Sequence, residues 1–257
     1  MIRSRENPAF RRLKGIFRGG RESREHGLAV IEGAHLVEAS LSAGVVPEML
    51  ALSETGCGRA EITALSERSR CHEKLVFADP LFRDLSDLFA PAGILAVIRI
   101  PAPPEGPSGG RCVMLDGVQD PGNAGSILRS AAAAGIPEIW FGMGCVAAWS
   151  PRVLRSAQGA HFRLRIGENA DLAEMTGRFP GRLAATVARG GAPPWEHDLR
   201  GNVAWLFGSE GAGLSPALSE TAGVRVTLPM AEGTESLNVA ATAAICFFES
   251  IRQEKGG

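Results

Sequence analysis

Short apolar runs separated by stretches of helical spacing recur along the whole chain. In the first part, runs at Leu28–Ile31, Met49–Leu52, Leu75–Phe77 and Ile94–Ile100 have the length of strands. Helical patterns fall at roughly Pro8–Phe17 and Ala34–Ala43, with polar helical stretches further on. That alternation predicts a small α/β unit. From residue 112 the pattern is more regular. Strands are predicted at Cys112–Val118, Glu138–Phe141, Phe162–Ile166, Leu183–Val187, Val203–Phe207 and Val224–Leu228. Helices are predicted at Gly125–Ala134, Leu172–Phe179, Pro216–Ala222 and Leu237–Ile251. Apolar strands separated by helices predict an α/β fold with a mostly parallel sheet covered on both faces. In the last helix Leu237, Ala241, Ala244, Ile245, Phe248 and Ile251 keep a helical spacing, which predicts that this face packs on the sheet. The run IPAPPEGPSGG has linker composition. The expected division is therefore 1–98, a linker at 99–111, and a second domain at 112–257.

Composition adds little to this picture, and charge adds more. The chain of 257 residues is 45% hydrophobic and 21% charged, as in ordinary globular proteins. No apolar run approaches the roughly 20 residues needed to cross a bilayer. The charged N-terminus has no apolar core behind it, so no secretory signal is expected. Five scattered cysteines without a CxxC pair argue for a reducing compartment, and against a disulfide framework or a zinc site. The expectation is a cytoplasmic protein with neither membrane nor metal association. Residues 1–25 hold eight basic groups (Arg3, Arg5, Arg11, Arg12, Lys14, Arg18, Arg21, Arg24) against Glu6, Glu22 and Glu25, a balance of +5. With a total of −1, the remainder carries −6. Such a segment is either a polyphosphate contact or the solvated face of an amphipathic helix.

Three loops hold the candidate chemistry, and each follows a predicted strand, where ligands of parallel sheets bind. The first is LDGVQDPGNAGSILRSAAAAG, residues 115–135. Pro121-Gly122 reads as a turn and Asn123 as a helix N-cap, an end that favours anions. Arg129, four residues after Gly125, is expected to lean back over that glycine toward the loop. The alternative is that Asn123 only caps and Arg129 only pairs with an acid. The second loop, LFGSEGAGLSP at 206–216, has glycines that permit close approach to a ligand, and Glu210 is its sole charge. The third, VTLPMAEGTESLNVAATAA at 226–244, places Ser236 as a cap and Asn238 at the entrance of the last helix. A turn or cap explains each loop singly as well as a site does. No metal-ligand cluster, nucleophilic triad or dinucleotide fingerprint competes; His161 and His197 lack companions at metal spacing.

Taken in order, the three loops resemble the SpoU (TrmH-like) family of RNA ribose 2′-O-methyltransferases. Its first motif, D-P-x-N-x-G-x-I-x-R-[ST]-A, is matched by Asp120, Pro121, Asn123, Gly125, Ile127, Arg129, Ser130 and Ala131. Phe207, Gly208, Glu210, Gly213 and Leu214 match the second, F-G-x-E-x-x-G-[LM]. Leu228, Pro229, Met230 and Ser236 to Val239 match the third, [IL]-P-M…S-L-N-V. Two positions depart from the common pattern: Glu232 stands where many members have glycine, and Ala240 where many have serine. More loosely, SRENPAFRRLKGI, LAVIEGAHLVEASLSAG and PAGILAVIRIP are similar to the small substrate-binding domain of many members, which resembles a ribosomal-protein-type RNA-binding fold.

The resemblance implies several things that residue patterns alone do not. One is a trefoil knot in the catalytic domain, which general rules of chain topology would not suggest. It also implies S-adenosylmethionine held at Gly208, Gly213, Leu228 and Leu237, with Thr186 and Val187 as further cofactor positions, and a homodimer joined through the catalytic domain. For catalysis it implies Asn123, Arg129, Glu210, Ser236 and Asn238, with Arg129 either as proton acceptor or acting with help from a substrate phosphate. Because a guanidinium stays protonated, a role for Arg129 in clamping a phosphate and stabilising the forming alkoxide is preferred. RNA contact is expected at Arg3, Arg5, Arg11, Arg12, Lys14 and Arg18. Ribosomal RNA is the expected substrate; transfer RNA, or a catalytically silent RNA-binding factor, is the alternative.

Overall fold

A computed structural model describes residues 1–256, with the side chain of Glu22 left aside. The chain divides into two compact units, 1–102 with 149–162, and 103–148 with 163–257.

In the first unit the elements run α1 (Pro8–Phe17), α2 (Arg21–His26), β1 (Leu28–Glu32), α3 (Ala34–Ser42), β2 (Met49–Ser53), α4 (Ala60–Arg68), β3 (Glu73–Phe77), α5 (Asp79–Arg83) and β4 (Ile94–Arg99). The sheet order is β1-β4-β2-β3, with β2 and β3 parallel and the pairings to β4 antiparallel. Asn7 caps α1 through its side chain, which accepts from the Ala9 amide at 2.9 Å, and Pro8 takes the first helical position. Phe10, Leu13, Ile16 and Phe17 turn inward to a core with Val30, Met49, Phe77 and Leu95. That leaves Arg11, Arg12 and Arg18 on the solvated face. The seven-residue helix α7 (Pro151–Ala157) also belongs to this unit and packs on β1, burying Val153, Leu154 and Ala157.

The second unit contains β5 (Cys112–Asp116), α6 (Pro121–Ala133), β6 (Glu138–Gly142), β7 (Arg165–Ala170), α8 (Leu172–Arg178), β8 (Arg182–Thr186), β9 (Val203–Gly208), α9 (Pro216–Thr221), β10 (Val224–Val226) and α10 (Val239–Lys255). All pairings in its six-stranded sheet are parallel, in the order β10-β8-β9-β5-β6-β7. The central strands β5, β6 and β9 are buried on both faces, as a covered parallel sheet requires. From β5 the chain steps outward through β6 to β7, then crosses to build the other half. The reversal point therefore lies between β5 and β9, whose last residues, Asp116 and Gly208, are paired. Crevices at such points are where open α/β sheets bind ligands.

Several boundaries differ from the sequence expectation. Helix α6 starts at Pro121, because the Asp120 side chain accepts from the Asn123 amide at 2.7 Å; Asp120 is the cap and Asn123 lies in the first turn. Pro121-Gly122 is thus helix and not a turn. Asn238, not Ser236, caps α10, accepting from the amides of Ala240 and Ala241 at 2.9 and 3.2 Å. Phe162 falls in a short 3-10 turn, and β7 begins three residues later. Helix α10 is also rotated relative to expectation. It buries Ala240, Ala243, Cys246, Phe247 and Ser250, whereas Ile245 and Phe248 are 42% and 51% exposed. Small residues let the helix approach α6 and β9 closely, and Phe247 supplies the bulk.

Phe247 stands edge-on to Phe207 with ring centroids 5.6 Å apart, and 6.4 Å from Trp205, fixing α10 against β9. Phe247→Ala is expected to destabilise the protein by about 3–5 kcal/mol, read as a lower urea midpoint at unchanged slope.

Candidate active site

Each of the three loops leaves a carboxyl end of the parallel sheet, and the three are tied together by side chains. In the first turn of α6, the Asn123 amide nitrogen donates to Glu210 Oε1 at 2.7 Å. Its carbonyl oxygen accepts from the Asn238 amide nitrogen at 2.8 Å. Asn238 in turn uses its own oxygen to cap α10. The orientation of both amides follows from their end partners: an ionised carboxylate only accepts and backbone N–H groups only donate. One continuous chain of hydrogen bonds thus runs from the β9 loop through α6 to α10.

The β9 loop is built around a close backbone approach. A Cβ on Gly208 would lie 1.9 Å from the Gly213 carbonyl carbon and 2.1 Å from the Leu214 nitrogen. Ser209 and Gly213 exchange two backbone hydrogen bonds at 3.1 and 3.0 Å, and Gly213 takes φ +70°, where glycine is favoured. Asp116 closes the loop from β5 by accepting from the Ser215 amide at 2.8 Å. After β8, Val187 bonds Val226 and the Thr227 hydroxyl bonds the Val187 carbonyl. The loops following β8, β9 and β10 are therefore held at defined heights.

Between them lies a cavity of about 740 Å³, within the size range of small-molecule and cofactor sites. Thr186, Val187, Gly208, Gly213, Leu228 and Leu237, the expected cofactor positions, all line it, as do Glu210, Ser236 and Asn238. Asn123 stands behind the lining, touching it through Glu210 and Asn238. Arg129 is not in the lining. Its exposed side chain on α6 makes no hydrogen bond or ion pair among the described residues, while Gly125 is buried, so the two do not share an open face. The Thr186 hydroxyl is already used, donating to the Leu206 carbonyl at 3.0 Å.

Met230, a motif residue to which no role was assigned, also lines the cavity, as do Arg189, Glu235 and Thr242, which were not singled out from sequence. Met230, Glu235 and Thr242 lie in the third loop segment and Arg189 is two residues beyond Val187, so nearness to expected site residues was the available signal. Among the described residues no group of three or more His, Cys, Asp or Glu could hold a metal ion. His161 is buried against Trp149, with ring centroids 4.9 Å apart, and His197 meets the Arg225 carbonyl. No helix among the described residues is long and apolar enough to cross a membrane.

The expected RNA-contact residues lie in the first unit. Arg5 pairs with Asp84 at 2.5 Å, Arg11 with Glu6, and Arg12 with Glu73 at 3.7 Å. Lys14 sits 5.5 Å over the Phe10 ring, and Arg3 and Arg18 are exposed. Exposed ion pairs are worth little, so these side chains exchange partners at small cost.

This arrangement matches known proteins over nearly its whole length. Residues 110–248 match the SpoU rRNA methylase family. The chain belongs to the SpoU rRNA methylase family. It is 33% identical over 225 residues to 23S rRNA (guanosine(2553)-2′-O)-methyltransferase RlmP of Bacillus subtilis, covering 85% of this chain and 86% of that one. It is 32% identical over 267 residues to a Synechocystis relative named as a tRNA/rRNA methyltransferase, covering 98% and 94%. The solved SpoU methyltransferase AviRb from Streptomyces viridochromogenes, in complex with AdoMet, aligns with a TM-score of 0.89 at 25% identity, over 98% of this chain and 100% of that one. The SpoU-type α/β fold is thereby established for this chain.

Gly208→Ala is expected to open the Ser209–Gly213 bridge, because the clashing atoms are backbone and cannot swing away. Hydrogen exchange at the amides of Ser209 and Gly213 should accelerate while far-ultraviolet circular dichroism is retained.

Proposed function

We propose that this protein transfers a methyl group from S-adenosylmethionine to a ribose 2′-hydroxyl of RNA, with ribosomal RNA as the substrate. Family membership supports the activity. The observation that carries the site assignment is the single cavity in which all six expected cofactor positions and three of the five catalytic candidates meet.

The lining suits the cofactor chemically. Val187, Leu228 and Leu237 offer apolar walls to a heterocycle, the backbone of the Gly208–Gly213 loop offers donors and acceptors, and Glu210 and Glu235 complement cationic groups. Bound there, S-adenosylmethionine supplies a methyl group on an electrophilic sulfonium. The remaining work is to position the ribose hydroxyl and to assist loss of its proton. Asn123 acts as a positioning residue, since both ends of its amide are spent on Glu210 and Asn238. Glu210, Ser236 and Asn238 present polar groups to the cavity. Arg129, exposed and without an acidic partner among the described residues, is available to clamp a substrate phosphate and stabilise the developing alkoxide. The family's trefoil knot is part of this reading, supported by the 208–214 and 228–239 segments lining one cavity. RNA contact at Arg3, Arg5, Arg11, Arg12, Lys14 and Arg18 is supported by the exposure of the five arginines along and around α1, with Lys14 half-buried among them.

The working form is a homodimer joined through α10. Its support is the apolar stripe that α10 turns outward, with Ile245 and Phe248 flanked by the half-buried Ala241, Ala244 and Ile251. Five free cysteines, three of them buried, support a cytoplasmic setting.

Purified protein should bind S-adenosylmethionine by calorimetry and methylate ribosomal RNA extracted from cells lacking the gene; no transfer to any RNA would overturn the proposal. Asn123→Ala and Arg129→Ala are expected to lower methylation by about two orders of magnitude or more while cofactor binding persists. Phe248→Glu should yield monomers in sedimentation velocity.

A further inference from the structure

The first unit holds a second cavity, of about 310 Å³, at the carboxyl ends of the parallel pair β2 and β3. Its floor is rigid. Ser53 donates its amide to the Gly93 carbonyl at 3.0 Å and accepts the Gly56 amide on its hydroxyl at 2.8 Å. Gly56 and Gly93 pass so closely that a Cβ on Gly56 would lie 2.4 Å from the Gly93 oxygen. Arg59 fastens the rim by donating to the Ala92 carbonyl at 2.8 Å. The loop from Asp84 to Gly93 is thus pinned at its end.

Just before that pinned end, Phe89 points outward and is 102% exposed, the most exposed large apolar side chain of the described residues. It lines the cavity together with Thr55, Arg59, Asp79 and Arg83. The charges are unevenly committed. The Thr55 amide, at 3.0 Å, and the Thr55 hydroxyl both donate to Asp79, and these bonds hold its carboxyl below the usual carboxylate range. The Arg83 side chain makes no hydrogen bond or ion pair among the described residues, although its charge helps lower Asp79, and Arg59 keeps donors beyond its bond to Ala92 and a 3.3 Å contact with Glu61. What the cavity offers a ligand is therefore an open aromatic face beside two guanidinium groups, with the one carboxylate, Asp79, already engaged by Thr55.

We propose that this cavity is a docking site for one unpaired nucleotide of the RNA substrate, with the base stacked on Phe89 and a phosphate met by Arg83 and Arg59. Unstacked bases are recognised by aromatic faces and arginine planes, and every base has a face to offer. The volume lies at the lower end for ligand sites, enough for one nucleotide and not for a helix. The site is distinct from the basic face of α1 and lies in a different unit from the methyl-transfer cavity. The inference rests on RNA being the substrate.

The test measures binding of fluorescein-labelled single-stranded oligouridylate and of a 20-base-pair RNA duplex by anisotropy, alongside calorimetry with S-adenosylmethionine. Phe89→Ala should weaken oligouridylate binding about tenfold, leave duplex binding unchanged, and leave cofactor affinity and thermal stability as in the wild type. Phe89→Trp should keep the affinity and show tryptophan quenching when oligouridylate binds. Arg83→Ala should weaken binding and reduce its salt dependence. Wild-type affinity in Phe89→Ala, or no quenching in Phe89→Trp, would overturn the proposal. So would an unchanged affinity accompanied by a changed sedimentation coefficient, which would make Phe89 a protein contact. If wild-type protein binds S-adenosylmethionine and methylates RNA while Phe89→Ala binds oligouridylate normally, only this inference fails. If wild-type protein methylates no RNA, the functional reading fails first.

Discussion

One side chain in the first turn of α6 joins the three segments that form the candidate active site. The Asn123 amide is short, planar and able both to donate and to accept, and it spends both capacities, on Glu210 and on Asn238. Those partners are 87 and 115 residues away in sequence. Aspartate here would set two carboxylates against each other, and an aliphatic residue would leave both partners without a bond. Asn238 extends the constraint because its oxygen simultaneously caps α10, so the start of the last helix and the height of Glu210 are set together.

This constraint acts on a scaffold that places the loops near one another. Reversal of strand order between β5 and β9 sets Asp116 and Gly208 side by side, and Asp116 then holds the far end of the β9 loop through Ser215. Close packing of Gly208 on Gly213 and Leu214 keeps that loop tight. The cavity is consequently bounded on one side by a tight backbone loop, with side chains such as Val187, Leu228 and Leu237 among its other lining.

Strand positions followed well from apolar runs, because central strands of a covered parallel sheet are apolar on both faces. The ordered loops pointed to the site because their residues act locally as caps, turns and close approaches. Other features depend on distant partners. Asp120-Pro121 starts α6, but the alternative cap at Asn123 satisfied the same local preference, and only the bonds to Glu210 and Asn238 explain what Asn123 does instead. In α10 the periodicity pointed to the face with Ile245 and Phe248, which the structure turns outward; nothing local distinguishes it from the face with Ala243 and Phe247 that packs inward. The position of α7 on β1 is a long-range packing choice that the helix sequence does not encode. The cavity beneath Phe89 depends likewise on Gly56 meeting Gly93, 37 residues apart in number.

The central claim is that this chain modifies ribose hydroxyls in ribosomal RNA. It is tested most directly by mapping 2′-O-methylation across ribosomal and transfer RNA from cells with and without the gene. The account predicts loss of a ribose mark in ribosomal RNA and its return when the intact gene is supplied. Identical maps, or a loss confined to transfer RNA, would contradict it.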